Sequence, residues 1–271
     1  MDEYLATGFS NVDLQNDAEV YKHCLGLIDS LPYYQECKQL SYELLELAPG
    51  LSVLDVGSGI GDDVFRMAER VMPGGMVVGM DSSTRMIEES RSRIPVCLNA
   101  EFMKADARAL PFIDAGFSRC RIDRTLQHIQ GPGKVIREAL RILRPEGLLL
   151  VYDNDWGTFS INGIDEETTR IIETLWRDSF TNSRIGRYLE GFFTEAGLEE
   201  IHVYPSVSII DDFVTADRVY NIRQSVERAV EKELISLIRG RQWLADLEEL
   251  SINKMFHCAL TGYTVVGRKL R

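Results

Sequence analysis

The chain has 271 residues, 45% of them hydrophobic, which is enough for a full core and long for one minimal domain. A formal net charge of −12 argues against a nucleic-acid partner or an anionic membrane surface, because neutralising phosphates needs clustered Lys and Arg. Five scattered cysteines without a Cys-x-x-Cys pair, an acidic Met1-Asp2-Glu3 start and no apolar run near the ~20 residues of a membrane span lead us to expect a cytoplasmic protein with reduced thiols.

Residues 1–50 read as mainly helical, with Tyr33-Tyr34 behind Pro32. From about 52 to 155, short apolar strands alternate with amphipathic helices, the pattern of a doubly wound parallel sheet. Strands are expected at 52–56, 76–81, 101–106, 117–123 and 147–153. The helix after the first strand gathers Val64, Met67, Ala68 and Val71 on one face, and the helix near 133–144 does likewise with Ile136, Ala139, Leu140 and Leu143. Pro145 and Gly147 are expected to stop that helix and turn the chain into the fifth strand. Beyond it, 165–196 reads as one or two helices and 198–204 as a strand. A charged helical stretch over 215–250 and a last strand at 257–268 complete the pattern.

The first strand, Val53-Leu54-Asp55-Val56, runs into Gly57, Gly59 and Gly61, where the backbone can turn tightly and a ligand can approach closely. A helix N-terminus ordinarily attracts anions, but this one opens with Asp62 and Asp63, which would repel a pyrophosphate. The loop therefore points to a ligand with an adenosine-like body and cationic character, such as S-adenosylmethionine (SAM). Asp81 ends the second strand, where a carboxylate can accept two hydrogen bonds from a ribose diol. Asp at 62 also departs from the dinucleotide spacing Gly-x-Gly-x-x-Gly.

Residues 53–61, Asp81 and Lys104-Ala105-Asp106-Ala107 together resemble the class I SAM-dependent methyltransferases. The run from Arg137 to Tyr152 is similar to the helix-to-fifth-strand signature of the ubiquinone/menaquinone-biosynthesis-type branch. The resemblance implies an α/β, Rossmann-like, doubly wound fold: a mostly parallel seven-stranded sheet with an antiparallel last strand. It implies an N-terminal helical lid (1–45), a SAM-binding core (46–204), a helical insertion covering the acceptor pocket (205–256) and a final strand returning to the core (257–271). By the same resemblance, Gly57, Ser58 and Gly59, with Asp55 and Gly61, carry the methionyl portion, and Asp81 with Ser82 holds the ribose. Met86 lies against the adenine, Asp106 accepts from its amino group, the Ala107 N–H donates to its ring, and Arg121 sits near the methionine tail.

Methyl transfer from a sulfonium is an in-line displacement, so the main task is placing the nucleophile. A base helps only where the acceptor must lose a proton. The candidate base is His128, whose unperturbed imidazole titrates near neutrality, with Asp155 as a second catalytic candidate. Candidates for binding substrate are Trp156, as a cation–π face, Arg184, and Tyr33 and Tyr34 from the lid. Four histidines without ligand spacing leave no metal site to expect. The reading is a methyltransferase giving S-adenosylhomocysteine on a small-molecule acceptor (O, N or C), as a monomer or homodimer. Its alternatives are a protein that binds SAM without transfer, as in a cyclase or regulatory module, and an NAD(P)-linked oxidoreductase.

Overall fold

In the computed structural model, which describes residues 5–14, 19–95 and 97–270, the N-terminal segment is helical. It comprises α1 (Leu5–Gly8), a 3-10 helix (Phe9–Leu14), α2 (Glu19–Ser30) and α3 (Pro32–Leu44). Pro32 opens α3, where its fixed φ suits a first turn. The alternating region follows as β1 (Ser52–Val56), α4 (Asp62–Val71), β2 (Met76–Asp81), α5 (Thr84–Ser92), β3 (Ala100–Lys104), β4 (Phe117–Asp123), α6 (Pro132–Ile142) and β5 (Leu143–Ile161). Then come α7 (Glu166–Arg177), α8 (Ile185–Ala196), β6 (Glu199–Ile210), α9 (Phe213–Tyr220), α10 (Ile222–Glu231), α11 (Leu237–Ile252) and β7 (Cys258–Arg268).

The strands form one seven-stranded sheet in the order β3-β2-β1-β4-β5-β7-β6. β1 pairs in parallel with β2 and β4, as do β2 with β3 and β4 with β5, whereas β7 runs antiparallel to both β5 and β6. This is the expected mostly parallel, Rossmann-like sheet with its last strand reversed. The order reverses between β1 and β4, so a crevice opens beyond their carboxyl ends, where doubly wound sheets bind ligands.

Alternation along β5 builds both layers. Leu149 and Val151 join α6 and α8 in one core, with Ile136, Ala139, Leu189 and Phe193. Leu148 and Leu150 join α3 and α4 in the other, with Tyr42, Met67 and Val71. A third core, around Trp156, Trp176, Phe213, Tyr220 and Trp243, joins the end of β5 to the helices between β6 and β7.

The structure differs from the expected elements along β5 and β6, β5 running on to Ile161, and β3 ends at Lys104, two residues short of Asp106. α6 stops at Ile142, and Leu143 already pairs with Phe117, so Pro145 and Gly147 lie inside an irregular start of β5. There Glu146, at φ +64°, donates its N–H to the Lys269 carbonyl. β6 continues past 204 to Ile210 because β7 offers a pairing partner as far as Cys258. The charged stretch resolves into three helices, of which α9 is capped by Asp212 and α11 by Ser236. Among the described residues no helix is long and apolar enough to cross a membrane.

Phe193 is fully buried and fills the space that a Cβ at Gly267 would enter. Phe193→Ala is expected to cost about 3–5 kcal/mol of unfolding free energy in urea titrations; a loss below ~1 kcal/mol would show that this core collapses around the gap.

Candidate functional site

A cavity of 720 Å³ opens at the switch point. One wall is the glycine loop. Gly57 (φ +76°) and Gly61 (φ +87°) both hold left-handed backbone, and a Cβ at Gly57 would lie 2.1 Å from Thr125 Oγ1. The Gly57 and Ser58 N–H groups both donate to the Met80 carbonyl, which fixes the loop to the end of β2. There the half-buried Asp81 accepts from the Gly59 N–H (3.1 Å) and the Ser83 N–H (2.9 Å). Burial raises its carboxyl above the usual range although those N–H groups pull the other way.

Beneath the loop lies an ionic cluster. Arg121, 1% exposed, reaches Asp55 (3.2 Å), Asp63 (3.3 Å), Asp123 (2.5 Å) and the Ser41 hydroxyl (3.1 Å). Asp63 also takes Lys38 of α3 at 2.7 Å and the Tyr42 hydroxyl, and Lys38 reaches on to Asp29 of α2. Burial pushes the Asp55 carboxyl up. It acts on Asp63 in the same direction, but Arg121 and Lys38 overcome it and hold that carboxyl well below the usual range. Asp62 pairs with Arg93. The two aspartates that open α4 are therefore paired with Arg93, Arg121 and Lys38, which weakens the repulsion of an anion expected from them.

The far end of the cavity is aromatic. Trp156 stacks on Phe180 (4.3 Å, 12°) and meets Trp176 and Tyr220 edge-on at 5.6 and 6.0 Å. His128 closes this end on a short turn, its ring 5.8 Å from Phe9 and 5.6 Å from Phe180. Burial, with Arg124 nearby, pushes its imidazole down to about 4.

Asp55, Gly57, Ser58, Gly59, Asp81, Ser82, Met86, Asp106, Ala107, Arg121, His128, Tyr34 and Trp156 all line this one cavity. Asp106 is exposed and paired with Arg108 at 2.9 Å, which holds its carboxyl below the ordinary range. Four candidates lie elsewhere. Gly61 packs behind the loop against Phe102. The Tyr33 hydroxyl bonds Ser206 (2.8 Å) and Tyr152 (3.3 Å), tying α3 to the sheet. Asp155 falls on the opposite face of β5 from Asn154 and Trp156, by simple strand alternation, and pairs with Arg187 of α8 at 2.5 Å. Arg184 lines a separate surface depression beside Asp178 and Tyr188. Sequence reasoning missed Lys38, Tyr42, Asp123, Gln127, Trp176, Phe180 and Tyr220. Only Gln127, next to His128, carried a local signal.

Residues 47–197, more than half of the chain, match the methyltransferase domain family. An uncharacterised 37.1 kDa protein in transposon Tn4556 of Streptomyces fradiae is 34% identical over 232 residues, covering 85% of this chain and 66% of that protein. The ubiquinone/menaquinone biosynthesis C-methyltransferase UbiE of Ectopseudomonas mendocina is 36% identical over 119 residues, 43% of this chain and 46% of its own length. The matched region thus spans less than two thirds of the first relative and about half of the second. Among solved structures, phosphoethanolamine N-methyltransferase 2 of Haemonchus contortus, in complex with phosphomonomethylethanolamine and S-adenosylhomocysteine, superposes with a TM-score of 0.61. It is 16% identical and covers 98% of this chain and 60% of that one. The chain belongs to the methyltransferase domain family, within the class I SAM-dependent methyltransferases.

Two measurements check the site's electrostatics. Arg121→Ala leaves three carboxylates around an empty space and is expected to cost about 3–5 kcal/mol in urea titrations; a loss under ~1 kcal/mol would show that the cluster is not coupled to folding. Because the His128 imidazole lies near 4 when folded and 6.5 when not, the unfolded chain binds more protons between those values. Its contribution is fully present above pH 6.5 and disappears as the pH falls to 4. The stability of the native chain relative to His128→Asn should therefore drop by up to about 3 kcal/mol over that window; a constant difference would refute it.

Proposed function

We propose that this chain transfers the methyl group of S-adenosylmethionine to a small-molecule acceptor held in the aromatic end of its cavity. The observation that carries the reading is continuity: one 720 Å³ cavity runs from Asp81, Asp106 and the glycine loop to Trp156, Phe180 and Tyr220. The residues present fit the cofactor. Ser58 Oγ is buried on the loop without a hydrogen-bond partner among the described residues, and Asp81 offers a carboxylate at the wall. Asp81 with Ser82 would hold the ribose, Asp106 and the Ala107 N–H would read the adenine, and buried Met86 would meet its face. Arg121 keeps a different role from the one expected: it holds Asp55, Asp63 and Asp123, and through them the loop.

When bound, S-adenosylmethionine supplies an electrophilic methyl group on a sulfur that leaves without protonation. The chain has to bring the nucleophile to within ~3–3.5 Å on the line opposite that sulfur, and to keep water away. The stacked aromatic wall does the second. Among the described residues, the carboxylates nearest that end are engaged elsewhere: Asp123 pairs with Arg121 and Arg124, and Asp155 is on the other face of β5. Buried Asp153 is pushed up to about 8, a neutral carboxyl near pH 7. Positioning therefore carries the reaction. Free cysteines support a reducing, cytoplasmic setting.

SAM at a hundred times its dissociation constant should stabilise the chain by about 2.7 kcal/mol in a melting assay, whereas NAD should not. Asp81→Ala should weaken SAM binding roughly ten- to hundredfold by calorimetry, the loss expected for charge-assisted hydrogen bonds. Methyl-labelled SAM incubated with a metabolite panel should give a labelled small product and S-adenosylhomocysteine. Label found only in macromolecules would overturn the acceptor class.

A further inference from the structure

A chain of hydrogen bonds fixes where His128 carries its proton. The Trp156 indole N–H can only donate, and it donates to Gln127 Oε1 at 2.9 Å. Gln127 Nε2 therefore faces His128 Nε2, at 3.0 Å, and an amide nitrogen can also only donate. His128 Nε2 must then be the acceptor, which leaves the imidazole proton on Nδ1. That Nδ1 is buried and has no hydrogen-bond partner among the described residues. The turn bearing both side chains is held rigidly. The Gln127 N–H donates to Asp153 Oδ2 at 3.1 Å, and Asn182 Nδ2 donates to the Leu126 and Ile129 carbonyls at 2.7 and 2.6 Å.

An unmet buried N–H is unfavourable until an acceptor reaches it. Resting on the methyl-transfer reading above, we propose that His128 is a neutral hydrogen-bond donor that selects a flat, uncharged acceptor presenting an oxygen lone pair, and is not the base of the reaction. The surroundings favour that class. Phe180 covers one face of Trp156, so a cation does not have that face to itself. The charged side chain near His128 is Arg124, which already pairs with Asp123 at 2.7 Å and lies over the Tyr34 ring at 5.1 Å. An ammonium group would meet that guanidinium, and the carboxylate beside it among the described residues, Asp123, is already paired with Arg121 and Arg124. Burial keeps His128 neutral near pH 7, consistent with a donor of fixed tautomer.

The test has two arms. In 15N–1H spectra of the chain alone, the His128 ring, assigned by its loss in His128→Asn, is expected as the neutral Nδ1–H tautomer. An Nε2–H tautomer overturns the proposal whatever the chain binds. With S-adenosylhomocysteine saturating, 1-indanone, indane and 1-aminoindane are then compared by calorimetry. 1-Indanone should bind at least tenfold more tightly than the other two. His128→Asn, whose amide restores an N–H donor, should keep that preference, and His128→Leu should lose it. Gln127→Glu, which accepts from the ring and draws its proton to Nε2, should lose it too without weakening S-adenosylhomocysteine. No binding of 1-indanone, an unchanged preference in His128→Leu, or tighter binding of 1-aminoindane overturns the proposal. Failure of S-adenosylhomocysteine to bind overturns the methyl-transfer reading instead, and the tautomer is read without it.

Discussion

A guanidinium taken out of water has to be paired with opposite charge, and Arg121, 1% exposed, is held by carboxylates from three elements: Asp55 on β1, Asp63 on α4 and Asp123 on β4. Lys38 on α3 and Asp29 on α2 extend the same network into the N-terminal helices. Removing any one member would leave an uncompensated charge in a low-dielectric site, so these elements are held in one arrangement. The glycine loop joins β1 to α4, directly above two members of this cluster. Its shape, and the position of Asp81 at its edge, depend on the cluster beneath it.

The cavity joins two kinds of surface. Its polar end is made of strand-end loops, where backbone N–H groups and carboxylates stand at the carboxyl ends of β1, β2 and β3. Its aromatic end is made of side chains from the end of β5, from α7 and the turn after it, and from α9, packed as a third core. The two meet at the turn of Gln127 and His128. That turn couples the aromatic wall to a defined proton position, so packing and hydrogen bonding specify the same pocket.

Much of this was legible along the chain. Strands β1, β2 and β4 fall where apolar runs end at glycine or charged residues, because short buried strands leave that local mark. The residues of the loop, Asp81 and Asp106 were legible for a similar reason: each sits at or just beyond a strand end, and strand ends in a doubly wound sheet converge. Asp155 and Arg184 were harder to place. Alternation along β5 puts Asp155 opposite Asn154 and Trp156, but what packs on each side of the strand is decided by other segments, and Arg184, at the start of α8, is placed by the packing of that helix against β5. The charge of the pair Asp62-Asp63 was not legible for another reason. Their charges are balanced by Arg93, Arg121 and Lys38, all of which lie more than twenty residues away in the chain.

Local spacing and backbone sterics are enough to set the alternation of strands and helices, the glycine loop and the carboxylates at or near the strand ends. Which charges survive as charges, and which proton His128 carries, follow from the folded arrangement alone. Both depend on partners brought together from distant segments: Arg121 with three carboxylates, and Trp156 with Gln127 and His128. A carboxylate's or an imidazole's chemistry is set by what lies within hydrogen-bond reach, and the fold decides what lies there.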